Sequence, residues 1–199
     1  MRMLQDGEYE KDFGISKELH EEAYKQAWDS KKFEIENYWK RANYFWLFQA
    51  MAFAGYIYPL TSDNYLYFME HGEILLGVTI LGFLTAVAWY LSNLGNKQWQ
   101  SNWENHIDKL EDSITGPLYK VVSNNGTWSV SKINECVSGF SIFIWILLGI
   151  RTIYEFFVEP LAYLAYMLII GLIVIVFQHY GKGLSDNKKV TFYRREKSN

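Results

Sequence analysis

Four apolar stretches, each about eighteen residues or longer, alternate with polar ones along the chain: Asn43–Leu60, Glu73–Leu94, Ile133–Ile153 and Leu161–Tyr180. None keeps the polar stripe that a helix of a soluble bundle turns toward water, so each reads as a membrane-spanning helix. Before the first, Ser16–Asp29 is patterned as an amphipathic helix with Ile15, Leu19, Ala23, Ala27 and Trp28 on one side. Ser30 then reads as the cap of a second helix, running from Lys31 through Tyr38 and Trp39 into the first apolar stretch. The second stretch continues past Gly95 as a polar helix to Asp112. Trp99, Trp103, His106, Ile107 and Leu110 recur on one face of it, and Glu104, Asp108, Glu111 and Asp112 on another. Gly116-Pro117 ends that helix. Leu118–Val122 and Thr127–Val130 flank Asn125-Gly126, whose tolerance of positive φ makes the segment a β-hairpin pattern. Ser129 or Ser131 is placed to cap the third apolar helix.

Charge orients this pattern. Of 19 Lys and Arg, eight precede the first apolar stretch, four lie between the second and third, and six follow the fourth; Arg151 is the one left over. The connections Thr61–Gly72 and Tyr154–Pro160 hold none. By the positive-inside rule both termini and the central polar segment face the cytoplasm. Lys40-Arg41 and Arg194-Arg195 are expected beside anionic headgroups, each charge contributing about 1 kcal/mol. Tyr and Trp gather at both predicted boundaries, among them Tyr38, Trp39, Tyr44, Trp46, Trp89 and Tyr90 on the inner side, and Tyr56, Tyr58 and Tyr154 on the outer. The first forty residues are rich in Lys and Glu and lack an apolar core, so no cleavable signal peptide is expected.

A net charge of -3 argues against a nucleic-acid partner. The single cysteine, Cys136, excludes an internal disulfide. His20, His71, His106 and His179 are scattered, and no catalytic, metal-ligand or phosphate-binding motif accompanies them, so neither an enzyme nor a metal or other cofactor is expected. The carboxylates on the polar helix read as a solvated face. Arg151 lies one turn from the outer end of the third apolar stretch with Glu155 four residues on; a charge at that depth needs a partner or a route to water. Gln49 is a second intramembrane polar candidate, suited to interhelical hydrogen bonding. Ala50 with Ala54, and Gly82 with Ala86, have the spacing that lets helices approach closely.

The block Gly95-Asn96-Lys97-Gln98-Trp99-Gln100-Ser101-Asn102-Trp103-Glu104-Asn105-His106-Ile107-Asp108-Lys109-Leu110-Glu111 resembles the signature of the RipA family of octameric membrane proteins. Thr115-Gly116-Pro117-Leu118-Tyr119, Ser129–Asn134 and Tyr38-Trp39-Lys40-Arg41 resemble further landmarks of that family, with Asn96 where Ser is expected. The resemblance covers roughly residues 30–180. It implies an eight-subunit ring in the cytoplasmic membrane and carries no known reaction or solute. It also implies that the central segment forms the subunit interface, with Trp99, Trp103, His106 and Leu110 on the contacting face.

The expectation is therefore an all-α membrane protein with four transmembrane helices, a cytoplasmic juxtamembrane helix and a small β-hairpin. Its segments are 1–41 (cytoplasmic, amphipathic), 42–95 (transmembrane helices 1 and 2), 96–132 (cytoplasmic helix and hairpin), 133–180 (transmembrane helices 3 and 4) and 181–199 (cytoplasmic tail). Its partners would be membrane lipids and copies of itself, eight in all as the resemblance implies. The function expected is a structural or scaffold assembly in the bacterial inner membrane, tied to membrane integrity or stress adaptation. A channel or transporter-like ring and a membrane sensor or effector of a multi-gene system are the alternatives.

Overall fold

The computed structural model describes residues 2–3, 8–13, 16–61, 72–121, 129–156, 166, 168, 170–172 and 193–194. In chain order the elements are strand β1 (Arg2–Met3), helix α1 (Glu8–Phe13), α2 (Lys17–Thr61), α3 (Gly72–Leu110), a 3-10 turn (Glu111–Ser113), α4 (Val130–Phe156) and strand β2 (Tyr193–Arg194). Three long helices thus dominate the described residues. Helix α2 starts where Ser16 Oγ accepts the Leu19 amide at 3.1 Å, an N-cap, with Glu18 in the first turn. It then runs for 45 residues. No glycine or proline interrupts it before Gly55, and Ser30 does not restart it. The Ser30 hydroxyl instead accepts from Gln26 Nε2, one turn back in the same helix, at 3.3 Å. Helix α4 begins at the expected cap, Ser129 Oγ accepting the Lys132 amide at 3.4 Å.

Two expectations are overturned. Among the described residues two helices, not four, are long and apolar enough to cross a membrane: those spanning Gly72–Ser113 and Val130–Glu155, each holding an 18-residue stretch with a mean hydropathy of 2.1 and 1.9 respectively. Asn43–Leu60 is helical as part of α2, yet it does not join them. Asn43, Gln49, Pro59 and the amphipathic rings of Tyr44, Trp46, Tyr56 and Tyr58 dilute its apolar character. Leu161–Tyr180 lies outside the described residues except for helical positions 166, 168 and 170–172.

The β-hairpin also fails where it is described. Leu118–Lys120 form a turn, and Val130 already belongs to α4. The amides of Tyr119 and Lys120, which a strand would give to a partner strand, are taken by the two carboxylate oxygens of Glu111 at 2.8 and 3.2 Å. Asn125-Gly126 lies outside the described residues. The all-α expectation needs one amendment too, because β1 and β2 pair antiparallel, Arg2 with Arg194 and Met3 with Tyr193.

The chain divides into two compact units. One comprises Met1–Asn37, Asn96–Gly126 and Leu184–Asn199, the other Tyr38–Gly95 and Thr127–Gly183. The second has an apolar core of Ala52, Tyr56, Leu75, Phe83, Ala86, Val87 and Trp145. Phe53 stacks on Trp145 at 4.5 Å, and Tyr56 meets it edge-on at 6.3 Å. Gly82 is what admits that indole, since a Cβ there would run into the ring. The predicted small pair Gly82 and Ala86 is therefore used inside the chain, whereas Ala50 and Ala54 are exposed.

Candidate functional site

In the first unit the residues of the resembling block converge on the N-terminal part of α2. Lys31 is the centre. It is only 7% exposed, although its neighbour Lys32 points to solvent. Its ammonium lies 3.9 Å from the centroid of the Tyr119 ring and 5.2 Å from that of Trp28, and the two rings meet edge-on at 5.6 Å. Lys31 Nζ donates to Tyr119 Oη, which in turn donates to Glu104 Oε1 at 3.1 Å; Lys31 also pairs with Glu104 at 3.4 Å. Burial, with the Glu104 charge and its hydrogen bond, pushes the Tyr119 phenol well above its ordinary range, so it remains a donor at neutral pH.

Glu111, fully buried, stands one step further along this cluster. It belongs to the 3-10 turn that closes α3 and is held by the two amides already described. Gly116, at φ 69°, makes the left-handed step that turns the chain back toward it. Lys120 closes the turn from outside through Asp112 at 2.6 Å. Asp108 is less well served: its Oδ1 is buried with no hydrogen-bond partner. Burial and the nearby Glu111 charge push its carboxyl above the usual range. The carboxylates expected as a solvated face are thus partly internal, and helical phase alone, without knowledge of what packs there, could not show it. Among the described residues no group of side chains is arranged to hold a metal ion.

The four interface candidates fall in this same unit and divide. Leu110 is 2% exposed, and its carbonyl accepts a hydrogen bond from His20 Nε2 at 2.9 Å. His106 Nδ1 shares a 2.7 Å hydrogen bond with Tyr9 Oη, and burial holds its imidazole below the ordinary range. Trp103 tilts against His106 at 5.6 Å. Together Trp103, His106 and Leu110 line a shallow cleft of about 150 Å³ closed by Ala23, Gln26 and Ala27. Trp99, at 49% exposure, is the candidate that presents a large surface outward.

The polar candidates of the second unit are arranged differently. Gln49, 3% exposed, accepts from Trp145 Nε1 at 2.6 Å and donates to the Gly82 carbonyl at 3.1 Å and to Thr85 Oγ1 at 2.8 Å. Asn134 donates to Tyr38 Oη at 2.7 Å and to Asn93 Oδ1 at 3.1 Å, and Asn93 donates to Ser138 at 3.1 Å. Arg151 and Glu155 form an exposed pair at 2.9 Å along α4. Ser138 is legible in the sequence as an interhelical hydrogen-bonding residue, whereas Asn93 and Asn134 are not, because single amides in apolar stretches carry no pattern of their own.

A family model described as the octameric membrane protein family (8xMP) matches residues 21–154, well over half of the chain and all of α3. The chain belongs to that family. As a member of the octameric membrane protein family, with two helices suited to crossing a bilayer, it is a membrane protein, and the family's name describes assembly in eights. The match spans the Lys31 cluster and both hydrogen-bonded groups of the second unit. No curated protein and no solved structure matches the chain.

Proposed function

We propose that the protein is a non-enzymatic, homo-octameric scaffold of the bacterial inner membrane that contributes to membrane integrity or stress adaptation. The observation that carries this reading is the polarity of the second unit. Its interior holds neutral, mutually hydrogen-bonded side chains such as Gln49, Asn93, Asn134 and Ser138, while Leu47, Met51, Leu81, Phe140, Phe143 and Leu147 face outward. That is the arrangement a bilayer selects, because no water is there to satisfy polar groups on the outside. Family membership supports the octamer, and the specific central block supports the narrower likeness to the RipA family.

The Lys and Arg distribution supports a cytoplasmic placement of the first unit. Its pairing of Arg2 with Arg194 supports both ends lying on one side. Native mass spectrometry in lipid nanodiscs tests the assembly: eight chains are expected, and a monomer overturns it. A strain lacking the protein should leak a periplasm-excluded dye more readily after osmotic shock, and unchanged leakage removes the integrity role. A channel reading is favoured by one observation, the exposed Arg151–Glu155 pair, which a ring would repeat around its axis. Conductance of the reconstituted protein that Arg151→Gln alters would put that reading first.

A further inference from the structure

Among the described residues, helices α2 and α4 are joined within the second unit by three hydrogen bonds from side chain to side chain. Asn134 Nδ2 donates to Tyr38 Oη, Trp145 Nε1 donates to Gln49 Oε1, and Tyr56 and Thr152 share their hydroxyls at 3.2 Å; each bond links residues 96 apart. The two helices therefore run parallel, with every α2 residue level with the α4 residue 96 positions on. About half a turn round each helix from these bonded faces runs the middle of an exposed apolar surface. On α2 this middle seam consists of Tyr44, Leu47, Met51, Ala54 and Tyr58, and on α4 of Phe140, Phe143, Leu147, Ile150 and Tyr154, all exposed. Each seam steps by three and four residues, the spacing of a helix-packing stripe. The same offset of 96 sets Tyr44 level with Phe140 and Tyr58 level with Tyr154.

Because the bonded faces are turned toward each other, the two seams point away from each other at equal heights. A closed ring of eight needs two different, level faces on each subunit, set about 45° short of directly opposed, since rotation about an axis normal to the membrane preserves height. We propose that the α4 seam of one copy packs on the α2 seam of the next and that this contact closes the ring. The proposal rests on the octameric reading above. A second copy is the favoured occupant because the octameric family matches residues 21–154, which hold both seams. The chain's own Tyr166 sits elsewhere, its hydroxyl donating to the Trp145 carbonyl at 3.4 Å and its ring covering Gly149, on the bonded side of α4.

Disulfide trapping in the full-length protein, in nanodiscs, tests the contact. The background is Cys136→Ser, since Cys136 is exposed on α4. With Tyr44→Cys and Phe140→Cys together, copper phenanthroline should give a ladder of linked chains reaching eight on a non-reducing gel. The pair Tyr58→Cys with Phe140→Cys, about 21 Å out of level at 1.5 Å per residue, should give none. Native mass spectrometry of the same samples separates the two readings. Eight chains without a ladder, a ladder from both pairs alike, or a disulfide confined to single chains each overturns the seam contact, the first leaving lipid as its cover. A sample with no eight-chain species overturns the octamer itself.

Discussion

The two units solve the problem of burying polar groups in opposite ways. The first buries charge: Lys31 among Trp28, Tyr119 and Glu104, and Glu111 under two backbone amides. The second buries only neutral groups among its named hydrogen-bonded sets, Gln49 with Trp145 and Asn93 with Asn134, and leaves Arg151 and Glu155 exposed. The difference is the one that the proposed placement, first unit in water and second in lipid, would produce. A chain in water can hide an ion once enough donors and rings replace its hydration. A chain in lipid never had that hydration, and amides or hydroxyls bonded to each other are the cheaper interior.

The sharpest way to break this comparison is at Glu111. Glu111→Ala leaves the Tyr119 and Lys120 amides unpaired and should destabilise the first unit by about 3 kcal/mol, at the upper end of the cost for orphaned buried groups. Hydrogen exchange at 117–121 reads it, and unchanged protection would show the carboxylate to be dispensable. In the second unit Gln49→Leu should cost less, about 1 kcal/mol, because hydrogen bonds between neutral groups are individually modest. Unfolding in graded detergent measures it, and a loss matching that of Glu111→Ala would erase the contrast.

Protons give two smaller tests. His106 is held below its ordinary pKa, so its stabilising contribution is whole above about pH 6.5 and is lost as pH falls. Melting temperature should decline on acidification, and His106→Gln should flatten that slope. Asp108 has the opposite sign. Its carboxyl is raised, so ionisation weighs against the fold above the ordinary carboxylate range and ceases to do so once pH drops below it. Asp108→Asn should therefore raise the melting point slightly at neutral pH and not at pH 3; a loss at neutral pH would mean that the charge is wanted.

Much of the helical frame was legible. The break-free run from Gly72 through Leu110 and the cap at Ser129 follow from local rules that the fold does not override. Ser30 misled because capping residues also tolerate a helix interior when their hydroxyl has an acceptor or donor one turn away. The hairpin pattern around Asn125-Gly126 misled because its first strand's amides were claimed by Glu111, a competition invisible to a window of ten residues. Lys31 could not be distinguished from Lys32 for a similar reason. Only Trp28 one turn earlier hinted at a shielded face, and the ring that completes the enclosure comes from Tyr119, 88 positions away.

That enclosure makes Lys31 a built-in clock. Amine-reactive reagents modify lysines in proportion to how often they meet water, and Lys31, only 7% exposed, becomes fully reachable when Trp28 and Tyr119 part. Its acetylation rate, set against that of exposed Lys32 in the same peptide, counts openings of the first unit, with the adjacent residue serving as internal standard.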